Sequence, residues 1–454
     1  MSEAEADLVV RNADHIITMT GEDIEGGWIA VKGGLISGMG ASTQDMPSGT
    51  TAIDATGCLV TPGFINTHHH LYQNLTRNWA ADQLELGLVP WLQELYPYWC
   101  NLDEESSYLS TWVGLAELAL GGCTTASDHL NVHPRPKLLD AQITAAKELG
   151  VRFHPARGSM NLSQKDGAIP PDESVEDGDD FLADCERLIE QYHDPNPGAM
   201  VRVAIAPCNP FAVTNELMVE SLELAERLDV RLHTHLAESP DEEQFTLDQY
   251  GWRPAERLQR LGWYTDRAWV AHAIFVNDAE IRAIGGAGVG VAHCPTSNVL
   301  FNRALTPARA LRAAGAPVGL GVDGGASTGH GSLYNEARLA ALLGDLLPGL
   351  PRLKAIDALE MATVGGAQCL GREGELGVLR PGAAGDLVVW PFSGLFFSGT
   401  AGDPVTAWLR DGPVRARDTI IAGKQVVRNG QLTNPALEEI VSRHTAVSQS
   451  WRHS

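Results

Sequence analysis

The sequence has no apolar run long enough to cross a membrane. A membrane-spanning helix needs ~18 or more consecutive apolar residues, and no stretch of the 454-residue chain approaches that length. The first ten residues, MSEAEADLVV, also lack the basic start and the apolar core of a secretory signal peptide. These absences favour a cytoplasmic protein and predict no membrane partner.

Basic residues are scarce. The chain has 33 Lys and Arg against 57 Asp and Glu, which gives a formal net charge of −24. A protein that binds a nucleic acid polymer needs a basic surface for the phosphates, so this class of partner is excluded as the main one. Only six of the basic residues are lysines, at positions 32, 137, 147, 165, 354 and 424.

Paired cysteines are absent as well. The seven cysteines are odd in number and scattered, and no two of them form a CxxC pair. Neither a disulfide framework nor a cysteine-rich zinc site is therefore indicated. The 15 histidines carry more information, because many of them stand at equivalent places in the pattern of the chain.

Short β-rich runs alternate with longer helical patterns through the middle of the sequence. Strict alternation of this kind implies parallel strands covered by helices, and eight units in about 300 residues fit a closed barrel. The sequence therefore predicts an α/β fold, a (β/α)8 TIM-like barrel. The eight predicted strands are Cys58–Asn66, Cys123–His129, Val151–Arg157, Val201–Cys208, Val230–Leu236, Ala268–Ala273, Val289–Cys294 and Pro317–Asp323.

The two ends of the chain show a different pattern, with hairpin-like alternation and turn residues. Neither end is long enough for a sheet domain of its own, but the two together could form one small composite β-sandwich beside the barrel. We expect sandwich strands in residues 1–57 and 374–435, the barrel in 58–373, and a helix with a loose tail in 436–454.

Polar, chemically capable residues stand at almost every predicted strand end. The active site of such a barrel is built at the carboxyl ends of its strands, and a core packed only for stability would have little reason to carry imidazoles and carboxylates there. The residues that form this pattern are His68 and His70, Asp128 and His129, Arg157, Cys208, His235 with Glu238, His272, His293 and Asp323.

A metal site is the simplest interpretation of part of this set. His68 and His70 are two residues apart on an extended segment, so that both side chains leave on the same face. Two neutral imidazoles make half of a tetrahedral site, which His235 and Asp323 would complete with one position left for water. A metal such as Zn²⁺ lowers the pKa of that water toward ~7, and Asp323 is suited to accept its proton.

Glu238 and His272 are candidates for the remaining catalytic work. Glu238 lies three residues beyond His235 and could move a proton between the nucleophile and a ring nitrogen of a substrate. His272 could polarise a substrate oxygen or stabilise a developing alkoxide. For Cys208, a place in the pocket wall is favoured over a role as nucleophile, since the residue has no dedicated base.

These residues stand in segments that resemble the amidohydrolase superfamily. The segments run in order along nearly the whole chain. They are Pro62–His70 (PGFINTHHH), His235–Glu238 (HLAE), Ala271-His272, His293–Pro295 (HCP), Gly321–Gly324 (GVDG) and Leu379–Leu387 (LRPGAAGDL). The resemblance implies one divalent metal, zinc or iron, held by His68, His70, His235 and Asp323. It also implies Glu238 as proton shuttle and His272 as the carbonyl or alkoxide contact.

Within the superfamily, the chain is similar to deaminases of aminated heterocycles, and to 8-oxoguanine deaminases above all. This similarity rests on the segments HLYQNLTR from His70, RGSM from Arg157 and APCNPF from Ala206. It implies hydrolytic release of ammonia from a planar, purine-type ring. Gln73 and Arg157 are then the expected amide-like and carbonyl contacts to that ring, with Cys208 beside them.

Two features of the sequence refine this expectation. None of the six lysines stands at a strand end, whereas two-metal sites in related barrels are bridged by a carboxylated Lys or a Glu, so a single metal is favoured. The family usually carries a Ser-Asn-Asp stretch after the aspartate of strand eight. This chain has Ser327-Thr328-Gly329-His330 in that region, which leaves the identity of the substrate open.

Other functions stay open at this point. The same site could act on an s-triazine of the hydroxyatrazine type, as an amino- or chlorohydrolase, or on a pterin such as isoxanthopterin. A scaffold without catalytic activity is a more distant alternative, because such relatives usually lose metal ligands and this chain has lost none. The resemblance also implies a homo-oligomer.

Overall fold

The computed structural model describes residues 5–346, 352–412 and 414–452. The described residues contain 17 strands in two sheets. In chain order the strands are β1 (Ala6–Ile16), β2 (Ile24–Lys32), β3 (Leu35–Ala41), β4 (Gly49–Asp54), β5 (Cys58–Pro62), β6 (Phe64–Asn66), β7 (Cys123–Leu130), β8 (Arg152–Ser159), β9 (Ala204–Pro207), β10 (Leu232–Leu236), β11 (Ala268–His272), β12 (Gly290–His293), β13 (Val318–Leu320), β14 (Leu387–Pro391), β15 (Asp418–Ile421), β16 (Lys424–Arg428) and β17 (Gln431–Leu432).

Helices follow most barrel strands, and several begin at residues that cap a helix. Asp103 and Asn277 form capping boxes at the starts of two of these helices. The helices are α1 (Leu88–Trp99), α2 (Glu104–Leu120), α3 (Leu138–Leu149), α4 (Gly178–Tyr192), α5 (Asn215–Leu228), α6 (Pro240–Tyr250), α7 (Pro254–Arg260), α8 (Asp278–Ala287), α9 (Pro295–Asn302), α10 (Ala308–Ala313), α11 (Gly325–Thr328), α12 (Leu333–Leu343), α13 (Ala355–Glu360), α14 (Gly366–Cys369), α15 (Pro404–Asp411) and α16 (Leu437–Trp451).

Eight parallel strands close into a barrel in the order β10-β11-β12-β13-β6-β7-β8-β9. Every residue of these eight strands is buried, as expected for strands that face side chains on the inside and helices on the outside. The predicted (β/α)8 fold is therefore confirmed. Among the described helices, none has the length and apolar character needed to cross a bilayer.

The two ends of the chain build the second sheet together. Nine strands form it, with β5 and β14 adjacent in antiparallel register, so that the N-terminal strands continue directly into the C-terminal ones. Apolar residues from both ends share one buried cluster, which includes Val10, Ile29, Val60, Val389 and Ile420. Helix α16 follows this sheet, and residues 453–454 of the predicted tail lie outside the described part of the chain.

The first predicted barrel strand, Cys58–Asn66, is in fact two strands. Cys58–Pro62 pairs with Leu387–Pro391 in the terminal sheet, and only Phe64–Asn66 belongs to the barrel. The change of sheet occurs at Gly63, where a Cβ atom would lie 2.0 Å from the hydroxyl oxygen of Thr124. A residue without a side chain is needed there, because the backbone passes so close to its neighbour.

A buried ion pair connects the barrel to the terminal sheet. The Nε and Nη2 atoms of Arg152, on β8, donate to the two carboxylate oxygens of Asp386 at 2.9 Å each. Both side chains are almost fully buried. Arg152 also donates to the carbonyls of Gly198 and Ala199, and Asp386 accepts from the backbone of Ala422. The pair thus satisfies groups in both parts of the fold.

Replacing Asp386 by Ala should destabilise the protein by about 3–5 kcal/mol, since the change leaves the buried guanidinium of Arg152 without its counter-charge. Urea unfolding followed by circular dichroism measures the effect. The matched control is Glu186→Ala, which breaks the exposed pair between Glu186 and Arg227 and should leave the unfolding midpoint near that of the wild type. Equal midpoints for the two variants would contradict this role of the Arg152–Asp386 pair.

Candidate metal centre and active site

The barrel brings the predicted catalytic residues together at the carboxyl ends of its strands. His68 and His70 follow β6, His235 lies on β10, His272 ends β11 and Asp323 follows β13. Glu238 and Gln73 join them around one cavity. His68 is fully buried and is not among the described residues that line this cavity. The strand-end pattern in the sequence therefore corresponds to one compact site.

The donor atoms of the four predicted metal ligands lie close to one another. The Nε2 atoms of His68 and His70 are 3.5 and 3.7 Å from Oδ1 of Asp323. The Nε2 atoms of His70 and His235 are 3.2 Å apart. All four side chains are buried, which means that the polar atoms must find partners within the site.

Hydrogen bonds to the other ring nitrogen fix the tautomers of two of these histidines. The Nδ1–H of His70 donates to the carbonyl of His129 at 2.7 Å, and that of His235 donates to the carbonyl of Cys208 at 2.8 Å. Burial lowers the pKa of both imidazoles, to about 3 for His235. Both rings are then neutral, and two Nε2 lone pairs face each other at 3.2 Å. A cation bound by both nitrogens would remove the repulsion.

His68 is oriented by a further histidine. His233 donates from Nδ1 to the carbonyl of Trp269 at 3.0 Å, so its Nε2 is free to accept a hydrogen bond from Nδ1 of His68 at 2.9 Å. The Nε2 of His68 is buried and has no hydrogen-bond partner among the described residues. Three imidazoles thus present lone pairs beside one carboxylate, which is a donor set that fits a divalent metal.

Asp323 is ionised in this setting. Burial alone would raise the pKa of its carboxyl, but the adjacent imidazoles of His68 and His272 hold that pKa well below its usual range. Its φ of +59° is unusual for a residue with a side chain. The backbone N–H of Asp323 donates to the carbonyl of His68 at 3.1 Å, which ties this aspartate to the first histidine segment.

Glu238 has the opposite tendency. Burial raises the pKa of its carboxyl to about 7, although the nearby His272 ring counteracts this in part. Oε1 of Glu238 lies 3.6 Å from Nε2 of His272. A carboxyl group whose pKa is near neutral can both take up and release a proton at physiological pH, which is what a proton shuttle requires.

Glu242 holds the turn that carries Glu238, and the sequence analysis did not identify it. Its two carboxylate oxygens accept the backbone N–H groups of Ala237 and Glu238 at 2.8 and 2.7 Å. Ala237 has a positive φ of 48°, so the turn needs such support. The sequence feature that points to Glu242 is the helix start at Ser239-Pro240, which places this glutamate in the first turn of α6.

Two of the three expected substrate contacts line the cavity. Gln73 is buried, and its Oε1 has no hydrogen-bond partner within the described part of the chain. Cys208 lies in the wall, where burial raises the pKa of its thiol well above the usual range. A thiol in this state is a poor nucleophile, in agreement with a place in the pocket wall.

Arg157 is not among the described residues that line the cavity, and its expected contact with a substrate carbonyl stays a prediction. Its guanidinium instead binds both carboxylate oxygens of Glu176 at 2.7 and 2.8 Å and Oδ2 of Asp184 at 2.8 Å. It also donates to the carbonyl of Gly158 at 2.5 Å. The acidic partners of Arg157 thus lie on the loop before α4 and on α4 itself, and they hold the guanidinium within a buried ion-pair network.

Several further residues line the cavity. Asn131 and Asn209 supply amide groups, and an aromatic wall surrounds the space. Its members are Tyr72, Trp91, Tyr96 and Phe301. Ser327, in the atypical loop after strand eight, also lines the cavity, whereas His330 of the same loop lies 3.7 Å from Glu336 and is not among the lining residues.

The chain is similar in sequence to two characterised bacterial hydrolases. The chain is 43% identical to the 8-oxoguanine deaminase of Pseudomonas aeruginosa (strain PAO1), over 97% of this chain and 98% of that protein. It is 39% identical to the hydroxydechloroatrazine ethylaminohydrolase of Pseudomonas sp. (strain ADP), over 93% and 90% of the two chains.

A solved structure of a related enzyme has the same fold. The atrazine chlorohydrolase of Arthrobacter aurescens TC1, crystallised with zinc, superposes with a TM-score of 0.91 at 35% identity and covers 97% of this chain and 100% of its own. The model of the amidohydrolase family matches residues 59–426. The chain therefore belongs to the amidohydrolase family.

Proposed function

We propose that the protein is a metal-dependent hydrolytic deaminase of a planar, aminated N-heterocycle, with 8-oxoguanine as its first candidate substrate. The observation that carries the proposal is the cluster of three imidazole Nε2 atoms beside Asp323, with Glu238 and His272 at the same cavity. Among the described residues, the Nε2 of His68 has no hydrogen-bond partner. The 43% identity to an 8-oxoguanine deaminase over nearly the whole chain supports this substrate.

The lining of the cavity favours a neutral, flat substrate. Aromatic side chains such as Trp91 and Phe301 offer ring faces, while the amides of Gln73 and Asn131 offer both donors and acceptors. No Lys or Arg is present among the described residues that line it. A heterocyclic base with exocyclic amino and oxo groups matches these partners, whereas a phosphorylated compound would lack a counter-charge.

The residues can carry out hydrolysis of an amino group in a simple sequence. His68, His70, His235 and Asp323 would hold a divalent metal, which would supply the Lewis acidity that makes water nucleophilic near neutral pH. Asp323 accepts a proton from the attacking water, and Glu238 gives a proton to the ring nitrogen next to the amino-bearing carbon. Asp323 then passes its proton to the amino group, the C–N bond breaks and ammonia leaves. The new hydroxyl returns its proton to Glu238 as it becomes the oxo group of the ring.

Metal content is the first test of this proposal. We expect one divalent ion, zinc or iron, per chain in fully active protein, because His68, His70, His235 and Asp323 form a single donor set. Removal of the ion by a chelator should abolish turnover, and addition of Zn²⁺ should restore it. Elemental analysis together with an ammonia-release assay measures both. Clearly more than one equivalent in a fully active preparation would contradict the mononuclear site.

The role of Glu238 gives a second prediction. Glu238→Gln should lower kcat by about 10²- to 10⁴-fold, since an amide cannot transfer the proton, while the metal content stays at the wild-type level. Steady-state kinetics and elemental analysis check the two expectations. The matched control is Asp241→Asn, an exposed change three residues further along the chain, which should leave kcat near wild type. Near-full turnover of Glu238→Gln would exclude the shuttle.

A side-by-side assay of four heterocycles tests the substrate. We expect kcat/KM to be highest for 8-oxoguanine, compared with guanine, isoxanthopterin and hydroxyatrazine. A preference for hydroxyatrazine would favour the s-triazine alternative, to which the 39% identity with a triazine aminohydrolase lends weight. A preference for isoxanthopterin would favour a pterin, in line with the 31% identity to an isoxanthopterin deaminase. If the protein hydrolyses none of the four compounds, the purine, s-triazine and pterin hypotheses are all contradicted.

A further inference from the structure

His272 has a backbone conformation that needs support from its surroundings. Its φ is +72°, in the left-handed region that residues with a side chain seldom occupy. It ends β11, and its side chain is only 1% exposed. Neighbouring residues must therefore hold both the backbone and the imidazole ring of His272 in place.

Two buried polar residues, Thr306 and Asn298, close a ring of hydrogen bonds with His272. The hydroxyl of Thr306 lies 2.6 Å from the backbone carbonyl oxygen of His272. Nδ2 of Asn298 lies 2.9 Å from the same hydroxyl, and Oδ1 of Asn298 lies 2.9 Å from Nδ1 of His272. Asn298 and Thr306 are each 1% exposed, so water does not compete for these groups.

The direction of every hydrogen bond in this ring follows from its chemistry. A carbonyl oxygen can only accept, so the hydrogen of Thr306 points to the backbone of His272. The hydroxyl oxygen of Thr306 must then accept from Nδ2 of Asn298, which leaves Oδ1 of Asn298 facing the imidazole. Because this oxygen is also only an acceptor, Nδ1 of His272 has to carry a hydrogen. If the hydrogen bonds ran in the opposite direction, the Thr306 hydroxyl could not donate to the buried carbonyl of His272. A buried carbonyl without a hydrogen bond destabilises the folded protein.

The helix that carries Asn298 is itself held in place. Glu336, a fully buried residue on α12, accepts the backbone N–H of Thr296 at 2.9 Å and its hydroxyl at 2.6 Å. These bonds satisfy donors in the first turn of α9, where a carboxylate is favourable. Asn298 follows two residues later, so its amide is presented to His272 from a fixed support.

We propose that Asn298 and Thr306 are positioning residues that fix His272 with its hydrogen on Nδ1. The Nε2 atom, 3.6 Å from Oε1 of Glu238, is then the ring nitrogen that exchanges a proton with Glu238 and contacts the substrate. This role rests on the proposed deaminase function, whereas the position of the hydrogen on His272 is independent of it. Thr306 lies 34 residues from His272, outside every segment on which the family resemblance rests.

Two substitutions of Thr306 distinguish the effect of its hydroxyl group from the effect of its side-chain volume. Thr306→Val keeps the volume and removes the hydroxyl, so Asn298 loses the partner that orients its amide. We expect kcat to fall by about 10- to 100-fold with KM within about threefold of wild type, the usual effect of removing a residue that orients an active-site histidine. Thr306→Ser restores the hydroxyl and should recover kcat to within about threefold.

A second measurement determines which ring nitrogen of His272 carries the hydrogen. Metal-loaded protein labelled with ¹⁵N in histidine is examined by long-range ¹H–¹⁵N correlation spectra, with His272 assigned by comparison with His272→Gln. In the wild type and in Thr306→Ser, Nδ1 of His272 should have the shift of a protonated nitrogen. In Thr306→Val, this signal should move toward that of a bare nitrogen.

Each outcome decides between the alternatives. A bare Nδ1 in the wild type would overturn the proposal, and this holds even if Thr306→Val does not fold. A Thr306→Val protein with wild-type kcat per bound metal and an unchanged Nδ1 signal would overturn it as well, because a purely structural residue would behave in that way. If the wild type hydrolyses none of the heterocycles, the deaminase function fails, and the Nδ1 signal still decides whether the ring of hydrogen bonds sets the proton.

Discussion

The site depends on hydrogen bonds that commit one nitrogen of each imidazole to a partner at the back of the ring. His70 and His235 donate to backbone carbonyls, and His68 donates to His233. A neutral imidazole has one hydrogen to give, so these bonds leave every Nε2 with a lone pair pointing inward. The convergence of lone pairs that would otherwise repel is what makes the centre a receptor for a cation.

The barrel supplies the carbonyls that make this possible. The carbonyls that accept from His70, His235 and His233 belong to His129, Cys208 and Trp269, which lie on or directly after neighbouring strands. Parallel strands end at one rim, so the backbone of one strand orients the side chain of the next. The same arrangement buries Glu238 and Asp323, and the two carboxyls differ in pKa because imidazoles surround Asp323 while burial dominates at Glu238.

Much of the fold and the centre of the site could be predicted from the sequence. The alternation of strands and helices indicated the barrel, and the residues at strand ends indicated His68, His70, His235, Glu238, His272 and Asp323. The ion pairs of Arg157 could not be predicted in the same way, because a strand-end position does not reveal that Glu176 and Asp184 bind the guanidinium. The division of Cys58–Asn66 depends on the close approach of Gly63 to Thr124, a tertiary contact that no local pattern encodes.

The residues that sequence reasoning missed have one property in common, which is that they act on other residues. Glu242 accepts the N–H groups that shape the turn at Glu238, and Asn298 with Thr306 surrounds His272. The polar atoms of each residue form hydrogen bonds to a backbone or side chain within the protein. None of the three stands at a strand end, which is the position that marks a residue facing the substrate. At Ala237, His272 and Asp323 the backbone has a positive φ, and such strained positions persist only where neighbours hold them. Reactive side chains on strained backbone therefore indicate where supporting residues must lie.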